Sequence, residues 1–458
     1  MLLVAAGCAR GPVTPPPVIE LPQAEIPPIV VEPAASPDTT AVLITQDGKQ
    51  NVDLETFNFS GEGTLEYSSG RVQRGQWRDG KLHGSGEELH NKNLYRGDWR
   101  NGVRQGQGQF IGQFGTTFEG AWENNERNGY GVATYANHVR YEGMWQDDQR
   151  SGFGQEFRPD GSSYRGEWQA GKRHGSGLEQ HPNGSSYEGA WSDDHALGNG
   201  TVTQRSGIRL SGLWTQSRIR DGLVELPDGN QYAGEIYQSE GLLSEDLLQW
   251  LKARAADNSV YAQYWLGTAY ADGSAGTKND QLASTWLSRS AEGGLADAQY
   301  RVAVRSFDQD WPTSEQYLQS AAEQGHARAH TTLGEFYHQG HHTPKNLEQA
   351  IYHYEQAIEK GHLTATNNLA WLLGTTSTNW ADAERAAQLL RPLVLYVNSW
   401  QLLDTFAAIQ ARLNQFELAA RLQAQAVQAA QQELGDNPEV GAMEARLALY
   451  EQGLPYTE

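Results

Sequence analysis

The chain has 458 residues, 38% of them apolar, with 50 glycines, 14 tryptophans and a formal net charge of −21. That length admits two or three domains with real cores, and the glycine–tryptophan mix points to a turn-rich β repeat. The acidic excess runs through 1–56 (2 basic, 7 acidic), 57–240 (19 and 24) and 241–458 (14 and 25), which excludes a phosphate-backbone binder and hence a nucleic-acid partner.

At the N-terminus, the single cysteine follows three small residues, Ala5-Ala6-Gly7-Cys8. This resembles the lipobox of bacterial lipoproteins, with Ala5 where that family prefers Leu. The resemblance implies that 1–8 is the end of a truncated signal whose start codon lies upstream, and that Cys8 is lipidated. With Ala9 next, it implies sorting to a Gram-negative outer membrane, facing the periplasm. Residues 9–56 include GPVTPPPVIELPQAEIPPIVVEP; proline at this density stays extended, so a disordered tether is expected. No run of about 18 apolar residues offers a span, leaving the lipid as the expected membrane contact.

From residue 57 to 240 one frame recurs, aromatic–x–Gly–x–Trp. Its glycines are Gly75, Gly97, Gly120, Gly143, Gly166, Gly189, Gly212 and Gly234, in steps of 22 or 23. Tryptophan follows two residues later at Trp77, Trp99, Trp122, Trp145, Trp168, Trp191 and Trp214, with Ile236 in the last unit. The preceding aromatics are Tyr95, Phe118, Tyr141, Tyr164, Tyr187 and Tyr232; Gln73 and Leu210 are exceptions. Residues two apart share one face of a strand. Each unit therefore reads as a β-hairpin, turning at QAGKRHG in the Tyr164 unit with the return strand beginning at Gly175, followed by a PNG or PDG connector. Stacked hairpins bury the aromatic stripe against one another. The partial copy from Phe59 to Gly70 is expected to cover the first edge. The pattern Y-x-G-x-W-x-x-G-x-x-x-G-x-G resembles MORN repeats, which implies an elongated antiparallel ribbon used for assembly without catalysis. Lipid binding, proposed for such repeats, is not favoured by the acidic charge.

Beyond Tyr237 the apolar period changes from 2 to 3.6. After a linker helix at 241–257, matching alanines at Ala262, Ala298, Ala329 and Ala365 stand 36, 31 and 36 apart. The pattern A-x-x-x-L-G-x-x-Y-x-x-G over 258–365 resembles Sel-like repeats. Residues 366–434 resemble tetratricopeptide hairpins, and 435–458 is expected to cap them. The whole is then a β-plus-α repeat protein, a MORN ribbon followed by a right-handed αα-superhelix whose groove suits a protein partner.

Chemistry is sparse. No phosphate cradle, nucleophile elbow or second cysteine occurs, so neither an enzyme nor a cofactor is expected. His83 and His174 read as turn residues, and HQGHH (His338–His342) as a polar inter-helix loop; a metal there would need converging ligands with carboxylate or thiolate support, and none is expected. Asp147-Asp148 and Asp193-Asp194 read as exposed hairpin turns, not a carboxylate pair in a cleft. The expected function is a lipid-anchored scaffold for envelope proteins, acting through the groove, the ribbon or both. The alternative is a glycan module, with peptidoglycan or exopolysaccharide stacking on the ribbon aromatics.

Overall fold

The structure, a computed structural model, describes residues 38–457 apart from 138, 239–241, 377–378, 395–398 and 436. Cys8 and the proline-rich stretch to residue 37 lie outside the described residues.

Among the described residues, eighteen strands form one antiparallel sheet and twelve helices come after it. The first five are β1 (Thr40–Thr45), β2 (Gly48–Asp53), β3 (Gly61–Tyr67), β4 (Val72–Arg78) and β5 (Lys81–His90). They continue as β6 (Asn93–Arg100), β7 (Val103–Ile111), β8 (Thr117–Glu123), β9 (Glu126–Thr134), β10 (Arg140–Gln146) and β11 (Gln149–Phe157). The last seven are β12 (Ser163–Gln169), β13 (Lys172–Gln180), β14 (Ser186–Ser192), β15 (His195–Thr203), β16 (Arg209–Thr215), β17 (Arg218–Glu225) and β18 (Gln231–Glu235). From β3 onward each strand pairs with the next in sequence.

Two expectations need correction. The tether does not run to residue 56, because Thr40–Asp53 forms the β1–β2 hairpin and β1 pairs with β3. Its TAVLIT segment buries Ala41 and Leu43 on one face, and Gln46-Asp47 make the two-residue turn, with Thr45 opposite Gly48. The first edge is thus extended by this hairpin and is not closed by Phe59–Gly70 alone. The return strand of the Tyr164 unit also begins at Lys172, not Gly175. The turn is the two-residue pair Ala170-Gly171, both with positive φ, the geometry whose twist matches a hairpin. A bulge after Gly166 leaves Gly175 and Ser176 of the return strand unpaired with β12.

Twelve helices follow: α1 (Glu245–Ala256), α2 (Val260–Asp272), α3 (Asp280–Glu292), α4 (Ala296–Ser306), α5 (Trp311–Glu323) and α6 (Ala327–Gln339). Then come α7 (Leu347–Glu359), α8 (Leu363–Thr375), α9 (Trp380–Val394), α10 (Trp400–Arg412), α11 (Phe416–Leu434) and α12 (Pro438–Glu451). Side-chain caps start many of them, with Ser244, Ser259, Asn279, Asp310 and Asn346 each accepting from a first-turn N–H. Sheet and helices share one apolar core, running from the frame aromatics through Ile236, Leu247 and Trp265 to Ala298.

Candidate functional site

The frame residues meet along one face of the ribbon. Tyr141, Tyr164, Trp145 and Trp168 are all under 5% exposed, so these rings have no free face, whereas Tyr232 in the last unit is only partly buried. From Tyr95 to Tyr187 each Tyr or Phe meets two indoles edge-on: Tyr164 lies 5.2 Å from Trp168 in its own unit and 5.3 Å from Trp191 in the next, both near perpendicular. The same alternation joins Tyr95, Trp99, Phe118, Trp122, Tyr141, Trp145, Tyr187 and Trp214. The polar tips are satisfied locally. Trp168 Nε1 donates to the Gly154 carbonyl (3.4 Å) and Tyr164 Oη to the Glu167 carbonyl (3.0 Å). Burial pushes the Tyr187 hydroxyl up to about 12 and moves those of Tyr95, Tyr141 and Tyr164 upward too. Trp77, Trp122, Trp145, Trp191 and Trp214 repeat the indole bond. Trp99, whose unit is one residue shorter, has no such acceptor.

The frame glycine is required by contact. A Cβ on Gly143 would stand 2.5 Å from Gly154 Cα and 2.6 Å from the Tyr141 hydroxyl, because that ring lies across both glycines. Equivalent crowding surrounds Gly97, Gly120, Gly166 and Gly189, while Tyr232 lies over Gly234.

The frame alone leaves out a charged ladder beside the aromatics. Arg104, Arg127, Arg150 and Arg173 stand five residues after Trp99, Trp122, Trp145 and Trp168. Each guanidinium lies 4.0–4.7 Å from the next unit's indole. Arg127 also bonds Asp148 (2.8 Å) and Arg173 bonds Asp194 (3.1 Å), so one carboxylate of each turn pair ties down the preceding unit. Buried Glu156 and Glu179, opposite Tyr141 and Tyr164, continue the chain. Glu156 pairs with Arg150 and Arg158, and Glu179 with Arg158 (2.7 Å) and Arg173 (2.9 Å). Counting W-x-x-x-x-R across four units exposes the arginines in sequence; nothing comparable marks the two glutamates.

The opposite face is open. Tyr130, Met144 and Phe153, on consecutive strands β9 to β11, are 55%, 42% and 54% exposed, and Tyr130 faces Met144 across the ladder.

The helical arm folds back along the ribbon. Ser259, capping α2, donates to Asp228 in the last connector. One unit earlier Arg205 reaches Asp297 of α4 (3.6 Å), which also pairs with His326 (3.6 Å). Two units before that, Gly161 lies beside Leu363 of α8. Within the arm, Asn368 of α8 donates to Glu335 of α6 (2.8 Å), whose carboxyl burial raises to about 7. Further on, Arg446 grips Asp404 through two bonds (2.9 and 2.8 Å) that Gln423 joins. Its guanidinium also lies over Trp371 and Tyr456. Among the described residues no helix is long and apolar enough to cross a membrane.

Comparison with known families gives a MORN repeat over residues 74–91, 95–114, 118–140, 141–163, 164–186 and 187–209. A Sel1 repeat matches 260–295, 296–326 and 327–362. No curated protein matches. Among solved structures, a protective antigen of uropathogenic Escherichia coli displaying an SLR fold is 19% identical over 45% of this chain and 50% of its own (TM-score 0.35), so the match spans half of that protein. A Sel1 repeat protein from Oxalobacter formigenes is 23% identical over 40% and 79% (0.33). A TPR-domain protein from Parabacteroides distasonis is 11% identical over 90% and 86% (0.23).

Proposed function

Since this chain joins MORN repeats to Sel1 repeats, families of protein-interaction scaffolds, we propose that it is a non-catalytic envelope scaffold that holds protein partners on a rigid platform. The observation that carries this reading is the use of the aromatic row as core. The ribbon's conspicuous residues brace it and the arm alongside, leaving the outer ribbon face and the arm's polar groove for partners. Anchoring through lipidated Cys8 at a periplasm-facing outer membrane rests on Ala5-Ala6-Gly7-Cys8 and the proline-rich stretch behind it. A glycan reading rests on Tyr130 and Phe153, whose rings are open to solvent, and not on the frame.

The test is affinity capture from a detergent extract of the native envelope on immobilised residues 38–458. A saturable protein partner, lost with Met144→Glu or Glu335→Lys, supports the scaffold. Retained muropeptides that Tyr130→Ser with Phe153→Ser releases support the glycan reading. Neither protein nor glycan above background sinks both. Membrane fractionation and palmitate labelling of the full chain, lost in Cys8→Ser, check the anchor.

A further inference from the structure

The loop between α6 and α7 brings His341 and His342 against Asp308, from the short loop between α4 and α5. Two imidazoles and a carboxylate converge there, their ligand atoms all within 4.8 Å of one another. We propose that Asp308, His341 and His342 form a binding site for a borderline divalent transition ion of the Zn²⁺ type, clipping the second Sel1 repeat to the third.

Three observations carry this. The first is spacing. His342 Nε2 and Asp308 Oδ1 stand 3.3 Å apart, and adjacent ligands of a tetrahedral ion with bonds of about 2.0–2.2 Å are separated by about 3.3–3.6 Å. Two of the three positions therefore match an ion as they stand. The third closes by rotation about exposed side-chain bonds, Asp308 being 73% accessible.

The second is orientation. Neighbouring residues in extended chain point apart, but His342 adopts φ of 61°, and the two imidazole centroids come within 4.3 Å. Aromatic walls hold both rings. Trp311 stacks on His342 at 5.2 Å and Phe336 lies parallel to His341 at 6.4 Å, while Phe307 meets His342 edge-on.

The third is an internal control. The matching loop of the first repeat, Gly273–Asn279, reads GSAGTKN against GHHTPKN at Gly340–Asn346. Both open on a left-handed glycine, and both close on an asparagine that caps the next helix. The first repeat spans the same seven positions with Ser274-Ala275 and takes its second left-handed residue at Gly276, where the third repeat takes it at His342, so joining these helices does not by itself call for imidazoles. Two imidazoles with one carboxylate select Zn²⁺, Ni²⁺, Co²⁺ or Cu²⁺ over the oxygen-seeking Mg²⁺ and Ca²⁺, and water completes the shell.

The experiment is calorimetric titration of Zn²⁺ into the full chain, tag-free and chelator-stripped, with Co²⁺ absorption as a second readout. Expected are one ion per chain, indifference to excess Mg²⁺, and intense visible Co²⁺ bands of a four-coordinate site. His341→Ser with His342→Gly removes both imidazoles and leaves at 342 a residue that tolerates its φ of 61°; it should lose the bands and weaken binding at least tenfold. Asp308→Asn should weaken it less. Absent binding, or stoichiometric binding that the double variant retains, overturns the proposal and leaves an ion pair stacked on aromatics.

Discussion

Trp168 illustrates how much one residue carries. Its indole meets Tyr164 and Tyr141 edge-on, lies under the Arg150 guanidinium and donates to the Gly154 carbonyl. Trp168→Ala should cost about 3–5 kcal/mol, as for other buried tryptophans, read by urea unfolding of the ribbon. A fully folded variant with unchanged midpoint would contradict the core role. The charged ladder gives a sharper test. Arg173→Met leaves Glu179 buried with Arg158 as its main partner and should cost about 3–5 kcal/mol, because breaking a buried pair strands a charge. Arg173→Met combined with Glu179→Leu should cost less than the single variant, measured the same way. Equal losses would mean that the pair is not coupled. The tyrosine, glycine and tryptophan positions were legible because each unit restates them at 23-residue steps. Arg127 and Arg150 obey the same count, whereas Glu156 and Glu179 occupy a position that varies from unit to unit, holding Glu88, Phe110, Ala133, Val202 and Val224 elsewhere.

At the scale of elements, the helical arm carries the half-buried histidines His353 and His362. Burial takes His353 and His362 down to about 4. His353 stacks on Tyr337 and touches His330 (3.0 Å), and His362 bonds Thr331 (2.8 Å). A histidine whose folded value lies below its ordinary 6.5 supports the fold fully above pH 6.5. That support is lost as the pH falls toward 4, because the unfolded chain takes up the proton first. Glu335 acts oppositely: raised from 4.5 to about 7, it withdraws stability as the pH climbs through that window. The downward shifts of His353 and His362 give the arm an acid-labile component. At pH 5 each histidine should cost roughly 1–2 kcal/mol, and His362→Gln should flatten the decline of the helical melting temperature between pH 6.5 and 4.5. An unchanged slope would refute the assignment. The 3.6-residue period and the recurring alanines Ala262, Ala298, Ala329 and Ala365 made these elements readable. The β1–β2 hairpin was hidden because TAVLIT follows a proline-rich run whose composition dominated the reading.

The largest feature was invisible in residue numbers. Ribbon units repeat every 22 or 23 residues and helical repeats every 31 or 36, yet the contacts keep step. Asp228 meets Ser259, Arg205 meets Asp297, and Gly161, two units further back, meets Leu363, two repeats further on. The match lies in distance: two strands advance about 9.6 Å, close to the 8–10 Å between packed helices. Two unlike solenoids can therefore run side by side in opposite directions, one unit per repeat, without accumulating strain. The pair Arg205–Asp297 is mostly shielded, at 28% and 15% side-chain exposure, and His326 stands behind it. Arg205→Glu sets like charges against each other where the arm leaves the ribbon. It should loosen that contact, raising the radius of gyration in small-angle scattering while the far-UV spectrum holds. Adding Asp297→Arg restores the attraction with reversed sign and should return the radius to its original value. If Arg205→Glu leaves the radius unchanged, the apolar seam through Ile208, Leu226 and Trp265 holds the arrays together unaided, and the charge pair only sets their register.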